Sequence, residues 1–215
     1  MPPIKVSLAA AAALTLLAGC SRDNEIVDAA GGIAVTRSAC PALAIPDYTG
    51  DVTLFNPPAS RDSRAIDVVA TITNLRANCD NSGAELVSTI SFDVVARREA
   101  GSEAREVVLP YFVSIVRGGN VVVAKRLGRV SLRFAEGQQR ATAQATAGSV
   151  VNKAAATLPE EVVRQITRRR KPGDADAAVD PMANPQVRAA VSRASFEMLV
   201  GFQLDQDQLR YNVTR

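Results

Sequence analysis

Apolar and polar residues alternate with a period of two in the middle of the chain, over residues 66–73 and again over residues 86–96. This period predicts strands that bury one face, because successive side chains of a strand point to opposite sides. The turn-forming sequence NCDNSG at residues 78–83 separates the two runs, so we expect them to pair as a hairpin. A shorter strand is predicted just before them, at residues 52–55, where Asn-Pro-Pro follows and ends it.

The strand pattern continues with a second predicted hairpin. Residues 105–117 are apolar on both faces, and Gly118-Gly119-Asn120 separates them from a further run at residues 121–134. The two glycines allow the positive φ that a tight turn requires. Alanine then occupies every second position of residues 141–147, and the period of two returns over residues 196–204.

Between the last two strand patterns, the spacing of apolar residues becomes helical. Thr157 and Glu160 fit a capping box, and this first helix is expected to end in the run Arg168-Arg169-Arg170-Lys171. Asn184-Pro185 predicts the start of a second helix. Asp205 is expected to cap a short last helix.

Together these elements predict a mainly β fold, an antiparallel β-sandwich (Ig-like) or partial barrel with a small α-helical insertion near the C-terminus. We expect residues 40–215 to form a single β-sandwich domain, with the helical insertion at about residues 157–194. Residues 20–39 are polar, rich in small residues and without a sustained period. They are expected to form a flexible tether.

The first twenty residues have the pattern of a bacterial export signal. Lys5 precedes an uncharged apolar run over residues 6–18, and such a run spans only about 20 Å as a helix, too short for a bilayer core of about 30 Å. Residues 1–19 are therefore predicted to be a signal peptide. The run ends in Leu17-Ala18-Gly19-Cys20, which closely resembles the lipobox of bacterial lipoproteins. The C-terminal part, including residues 196–204, also resembles uncharacterised alphaproteobacterial lipoproteins, a likeness that implies no activity.

The lipobox resemblance implies a membrane anchor. It implies that Cys20 becomes the mature N-terminus and carries a diacylglyceryl group on its thiol, with a further fatty acid such as palmitate on the new amine. The membrane would then be contacted through the N-terminal lipid. Ser21 stands where Asp would retain such a protein in the inner membrane. The resemblance therefore implies an outer-membrane location, with the body facing the periplasm.

Two cysteines, Cys40 and Cys79, remain once Cys20 is lipidated. In an oxidising envelope an even remainder indicates a disulfide. Closing a loop of about 40 residues would stabilise the fold by roughly 4 kcal/mol. Cys79 lies at the tip of the first predicted hairpin, where it can pin the segment that carries Cys40. The alternative is two separate thiols that lie too far apart to join.

The composition excludes several kinds of chemistry. The 215 residues include no His and no Trp, so neither a Ser-His or Cys-His nucleophile pair nor an imidazole metal site can form. Aromatic residues make up only 4%, which supplies a base-stacking surface poorly, and we expect no nucleic-acid partner. Catalytic motifs are missing from the sequence, so we expect no enzyme activity and no cofactor. A metal site is not expected either, because Asp174, Asp176 and Asp180 depart from a Ca²⁺-loop pattern at Ala178 and Val179.

Arg168, Arg169, Arg170 and Lys171 form the notable charge cluster of the sequence. This cluster could bind phosphates of lipid or lipopolysaccharide, or peptidoglycan carboxylates. Its alternative role is a solvated helix end, where cations favour the helix dipole. We expect the protein to act as a structural or protein-interaction module of the envelope, with an envelope protein as partner. The alternative function is a carrier or binder of an apolar or anionic envelope ligand, held between the sheets or near the basic cluster.

Overall fold

A computed structural model describes residues 38–99, 101–168, 170–171 and 173–215. Ser38–Arg215 form one compact unit. The strands are β1 Ala42–Ala44, β2 Asp51–Phe55, β3 Ile66–Asp80, β4 Glu85–Arg98, β5 Arg105–Arg117, β6 Val121–Phe134, β7 Arg140–Asn152 and β8 Phe196–Phe202. The α-helices are α1 Glu160–Thr167, α2 Pro185–Ala194 and α3 Gln206–Thr214, and short 3₁₀ helices form at Ser63–Ala65, Lys153–Ala156 and Pro181–Ala183.

The strands are arranged in two four-stranded sheets. One sheet has the order β1-β8-β5-β6, and the other has the order β2-β3-β4-β7. All neighbouring strands are antiparallel except β1 and β8, which run parallel. The pairs β3–β4 and β5–β6 are the two hairpins predicted from the sequence. The structure therefore confirms a mainly β fold of the sandwich or partial-barrel class.

The hydrophobic core lies between the two sheets and explains the period of two. The inward residues Leu86, Ile90 and Phe92 of β4 are fully buried, as are Leu132 of β6 and Val200 of β8. Burying one such side chain contributes about 1.5–3 kcal/mol relative to leaving it exposed. Each strand therefore needs apolar residues only on its inward face, and the alternation follows.

A disulfide between Cys40 and Cys79 joins the two sheets. Cys40 lies two residues before β1, whereas Cys79 is the penultimate residue of β3 in the other sheet. Their Cα atoms are 6.2 Å apart, within the range that a disulfide spans. The predicted pairing is confirmed. Cys79, predicted at the tip of the first hairpin, lies in β3 opposite Ser88, because the strand continues to Asp80.

Arg98, the last residue of β4, is a buried cation that holds two loops together. Its side chain is only 2% exposed, and its guanidinium lies 5.3 Å from the ring centre of Phe134. The guanidinium nitrogens donate to the carbonyl oxygens of Glu103, Gln138 and Ala135, at 2.6, 2.8 and 3.3 Å. The loop before β5 is thereby connected to the turn between β6 and β7.

The helical insertion lies between β7 and β8, as predicted. Helices α1 and α2 share a small apolar cluster of Val162, Val187 and Ala190. Asn184 caps α2 by accepting from the Gln186 N–H, and Asp205 forms a capping box at the start of α3. Among the described residues, no helix is long and apolar enough to cross a membrane.

The predicted capping box at Thr157 is wrong. The chain first forms the 3₁₀ helix Lys153–Ala156, and the Thr157 hydroxyl donates to the carbonyl oxygen of Lys153 at 2.7 Å. Helix α1 consequently begins at Glu160, after Pro159, with no side-chain cap. It ends at Thr167, so the prediction that it ends within Arg168–Lys171 is wrong: with ψ at 123°, Arg168 has left the helical conformation.

Candidate functional site

The predicted basic cluster follows α1, and its arginines Arg168 and Arg170 are paired with carboxylates. Nη2 of Arg168 lies 3.1 Å from Oδ1 of Asp176 and 3.8 Å from Oδ2 of Asp174. Nε of Arg170 lies 3.4 Å from Oδ2 of Asp176, and the backbone N–H of Lys171 donates to Asp174. The structure thus brings these cations together with the two aspartates that the sequence suggested for a metal loop.

This pairing engages Arg168 and Arg170, whereas the Lys171 ammonium has no carboxylate partner among the described residues. The Arg168 and Arg170 guanidiniums would have to exchange an internal carboxylate for the ligand. Arg169 lies outside the described residues, as does Cys20, the residue predicted to be lipidated. Binding of an anionic ligand at the cluster stays a hypothesis. In the part of the chain that the structure describes, no three potential metal-ligating side chains come together.

A surface cleft of about 480 Å³ lies beside β2, but its polar groups bond to one another. Arg105 donates to both carboxylate oxygens of Asp67 at 2.7 Å, and this bond raises the pKa of Arg105. Arg61 donates to the carbonyl oxygen of Pro58 and stacks on the ring of Phe55, at 5.2 Å from the ring centre. The cleft therefore presents no cation that lacks a partner.

The most distinctive surface is the first part of β6, which is exposed on both faces. In the order β1-β8-β5-β6, β6 pairs with β5 on one side only. All seven residues of 121–127 are exposed, and the side chains of Val122 and Leu127 are 60% and 68% exposed. We call residues 121–129 the basic edge, because they contain three cations and no acid.

Within the part of the chain that the structure describes, the cations of the basic edge have no acidic partner. Lys125 lies over the ring of Phe112, with Nζ 4.9 Å from its centre. Among the described residues, no carboxylate lies within ion-pair distance of Arg126 or Arg129. Farther along β6, Nε of Arg133 reaches Glu106 at 3.9 Å. Free positive charge is thus concentrated beside an unpaired strand edge.

Tyr111 explains why β6 is covered only in its second half. Its ring packs edge-on against Phe92 at 5.2 Å between centres, and its hydroxyl lies 3.5 Å from the carbonyl oxygen of Thr146 in β7. Gly128 stands opposite Tyr111, and a Cβ there would lie 2.3 Å from the Tyr111 Cζ. The ring therefore passes under the β6 backbone to the facing sheet. The residues of β6 that precede Gly128 lie beyond the point where Tyr111 joins the two sheets, and they stay exposed.

Unlike the first part of β6, a second edge strand, β2, is covered by a helix. Helix α3 packs beside it, and the Asn212 side-chain amide donates to the carbonyl oxygens of Tyr48 and Asp51, both at 2.8 Å. The Asn212 side chain thus satisfies backbone carbonyl oxygens at the start of β2. Unpaired strand edges attract further strands, and natural proteins usually cover or shorten them. The basic edge is long and uncovered by the residues that the structure describes.

The sequence of residues 121–129 contains a signal for the basic edge, namely the loss of apolar-polar alternation. In residues 121–129, VVVAKRLGR, apolar and basic residues occupy both faces, so the pattern gives no inward side. A strand with this composition has no purely apolar face that would pack against the core, so we expect both of its faces to stay in solvent.

In comparisons with known proteins, no family model, curated protein or solved structure matches the chain.

Proposed function

We propose that the protein is a lipid-anchored component of the bacterial envelope, facing the periplasm from the outer membrane, whose β-sandwich binds another envelope protein. Two features support the compartment. Leu17-Ala18-Gly19-Cys20 resembles a lipobox, and the Cys40–Cys79 disulfide fits an oxidising environment. Neither feature depends on the binding surface, so location and interaction are tested separately.

The basic edge is the observation that carries the interaction half of the proposal. Its valines and Leu127 leave apolar surface in water, and among the described residues no strand pairs with the outer edge of β6. A docked protein would bury the apolar side chains and would form hydrogen bonds with the backbone groups of the strand edge. In the cleft beside β2 and the cluster after α1, the described arginines already bond within the chain: Arg61, Arg105, Arg168 and Arg170.

Crosslinking in intact cells tests the interaction. A photoreactive amino acid is placed at Leu127 in the full-length protein, and a matched variant carries it at Val163, which is 40% exposed on α1. We expect ultraviolet light to produce a specific higher-mass protein adduct from position 127 and none from position 163. Failure of position 127 to form such an adduct, or equal adducts from both positions, would contradict the proposal.

Intact-mass measurement tests the anchor. The membrane-extracted protein is expected to begin at Cys20, to carry the added mass of its fatty chains, and to lack two hydrogens at Cys40 and Cys79. Cys20→Ser should retain residues 1–19 and gain no lipid. A wild-type chain with the unmodified mass of residues 1–215 would refute the anchor and leave the interaction test unaffected.

A further inference from the structure

We infer that the basic edge binds an extended acidic segment of another protein, which adds to the β1-β8-β5-β6 sheet as a strand beside β6. This inference rests on the proposed function, since it names the chemistry of the partner that the same surface would take. The edge itself, its charge and its exposure on both faces each restrict the choice of partner.

Backbone geometry favours an extended chain. In a strand, every second residue directs its N–H and C=O toward the same side, so an edge strand presents a row of donors and acceptors. The β5–β6 register shifts at Val123, so the regular row of β6 runs from Ala124 onward, and an added strand would satisfy it there. A lipid headgroup would neutralise the cations and could accept from single N–H groups, but it has no row of alternating donors and acceptors at strand spacing. We therefore favour a polypeptide.

Charge favours an acidic chain. Lys125, Arg126 and Arg129 lie on β6 without an acidic residue between them, and the Arg126 and Arg129 side chains are free of carboxylate partners among the described residues. Opposite charges across neighbouring strands stabilise pairing, and like charges oppose it. A second copy paired through the same edge would bring these cations together, which disfavours self-association.

Side-chain register sets the form of the segment. On β6, Leu127 pairs with Phe112, whereas Arg126 pairs with Val113, so consecutive residues point to opposite faces. Apolar and basic side chains are exposed on each of these faces. A segment that mixes acidic with β-branched apolar residues would contact both kinds along β6. Its acids would meet the arginines while its apolar residues cover the valines and Leu127.

Peptide binding to the full-length protein in detergent tests this directly. The probe is a fluorescent decapeptide that alternates Glu with Val, measured by anisotropy, and the comparison peptide alternates Lys with Val. We expect only the Glu peptide to bind. The variant R126E/R129E should weaken this binding about tenfold or more. The control R76E/R193E makes the same charge change at exposed arginines elsewhere and should leave binding unchanged.

An N-methylated Glu–Val peptide separates strand addition from charge attraction. Methyl groups on alternate backbone nitrogens remove hydrogen bonds along one peptide edge and keep all carboxylates. We expect methylation on one of the two edges to abolish binding to the wild-type protein, a result that needs no folded variant. Equal binding of the unmethylated peptide and of both methylated forms would overturn strand addition.

Two further outcomes would also overturn the inference. In the first, the Glu peptide does not bind, whereas soluble dihexanoyl-phosphatidylglycerol binds to the wild-type protein and not to R126E/R129E. This result would assign the edge to lipid headgroups. The other is failure of the Glu peptide together with a protein adduct from position 127 in cells. In that case the interaction proposal would stand, and the acidic extended partner would be wrong.

Discussion

Replacing Arg98 by Met should destabilise the domain strongly, because three loop carbonyls would lose their donor. Arg98 is 2% exposed and bonds to Glu103, Ala135 and Gln138. A buried acceptor left without a partner costs about 1–3 kcal/mol, and the loops can recover part of this by turning toward water. Loss of the contact with Phe134 adds about 1 kcal/mol. We expect the free energy of unfolding to fall by about 3–4 kcal/mol.

The assay is urea unfolding of the full-length protein with its disulfide intact, compared with the neighbouring variant Arg97→Met. The Arg97 side chain is 57% exposed and pairs with Glu99, so its loss should cost less than about 1 kcal/mol. Arg98→Lys keeps the charge but loses the planar set of donors, and it should also be clearly destabilised. Equal unfolding free energies for Arg98→Met and Arg97→Met would refute the role given to these hydrogen bonds.

Three other perturbations test separate features of the fold. Replacing both Cys40 and Cys79 by Ser should lower the unfolding free energy by about 4 kcal/mol in denaturant titrations, because the unfolded chain loses a closed loop. Gly128→Ala should cost about 1–3 kcal/mol by the same assay, because its methyl group meets the ring of Tyr111. The Ser82 backbone N–H donates to the Asp80 carboxylate and lowers its pKa, so this carboxyl should titrate by NMR below the usual range of an aspartate. The stability from this bond is present above the unfolded-state pKa and is lost as pH falls through the folded-state pKa.

Each of these tests has a matched control. Reducing the wild-type protein should reproduce the loss seen in the double serine variant, and an unchanged unfolding midpoint on reduction would contradict the disulfide estimate. Gly148→Ala, with its nearest atom 3.6 Å away, should change stability by less than about 0.5 kcal/mol. Truncating Tyr111 to Ala should remove most of the penalty of Gly128→Ala. Asp80→Asn should abolish the low-pH titration assigned to that carboxyl.

The strands could be predicted because burial of one face forces a period of two. Residues 66–73 of β3 and the strand Glu85–Arg98 show it clearly, and the turn residues between β3 and β4 determine that these strands pair. Caps with short polar side chains were also readable, as at Asn184 and Asp205. Thr157 failed as a cap because its hydroxyl is used by a preceding turn, a local competition that sequence spacing does not resolve.

Other features depend on contacts between distant segments and have no local pattern. β1 is three residues long and pairs with β8 across most of the sequence. Arg98 occupies an inward position of β4, where its burial depends on carbonyls supplied by two later loops. The basic cluster after α1 has a clear sequence signal, yet its pairing with Asp174 and Asp176 follows from how the loop folds back.

The sulfur bridge also determines how the domain responds to a mechanical pull. Tension applied to the chain ahead of Cys40 arrives at that residue and divides there, so part of it passes through covalent bonds into Cys79 on β3. β3 lies between β2 and β4, and its release would require breaking the long ladder to β4, which includes Cys79, and the five-residue ladder to β2. The three-residue β1, which would otherwise peel away first, is protected from carrying the load alone.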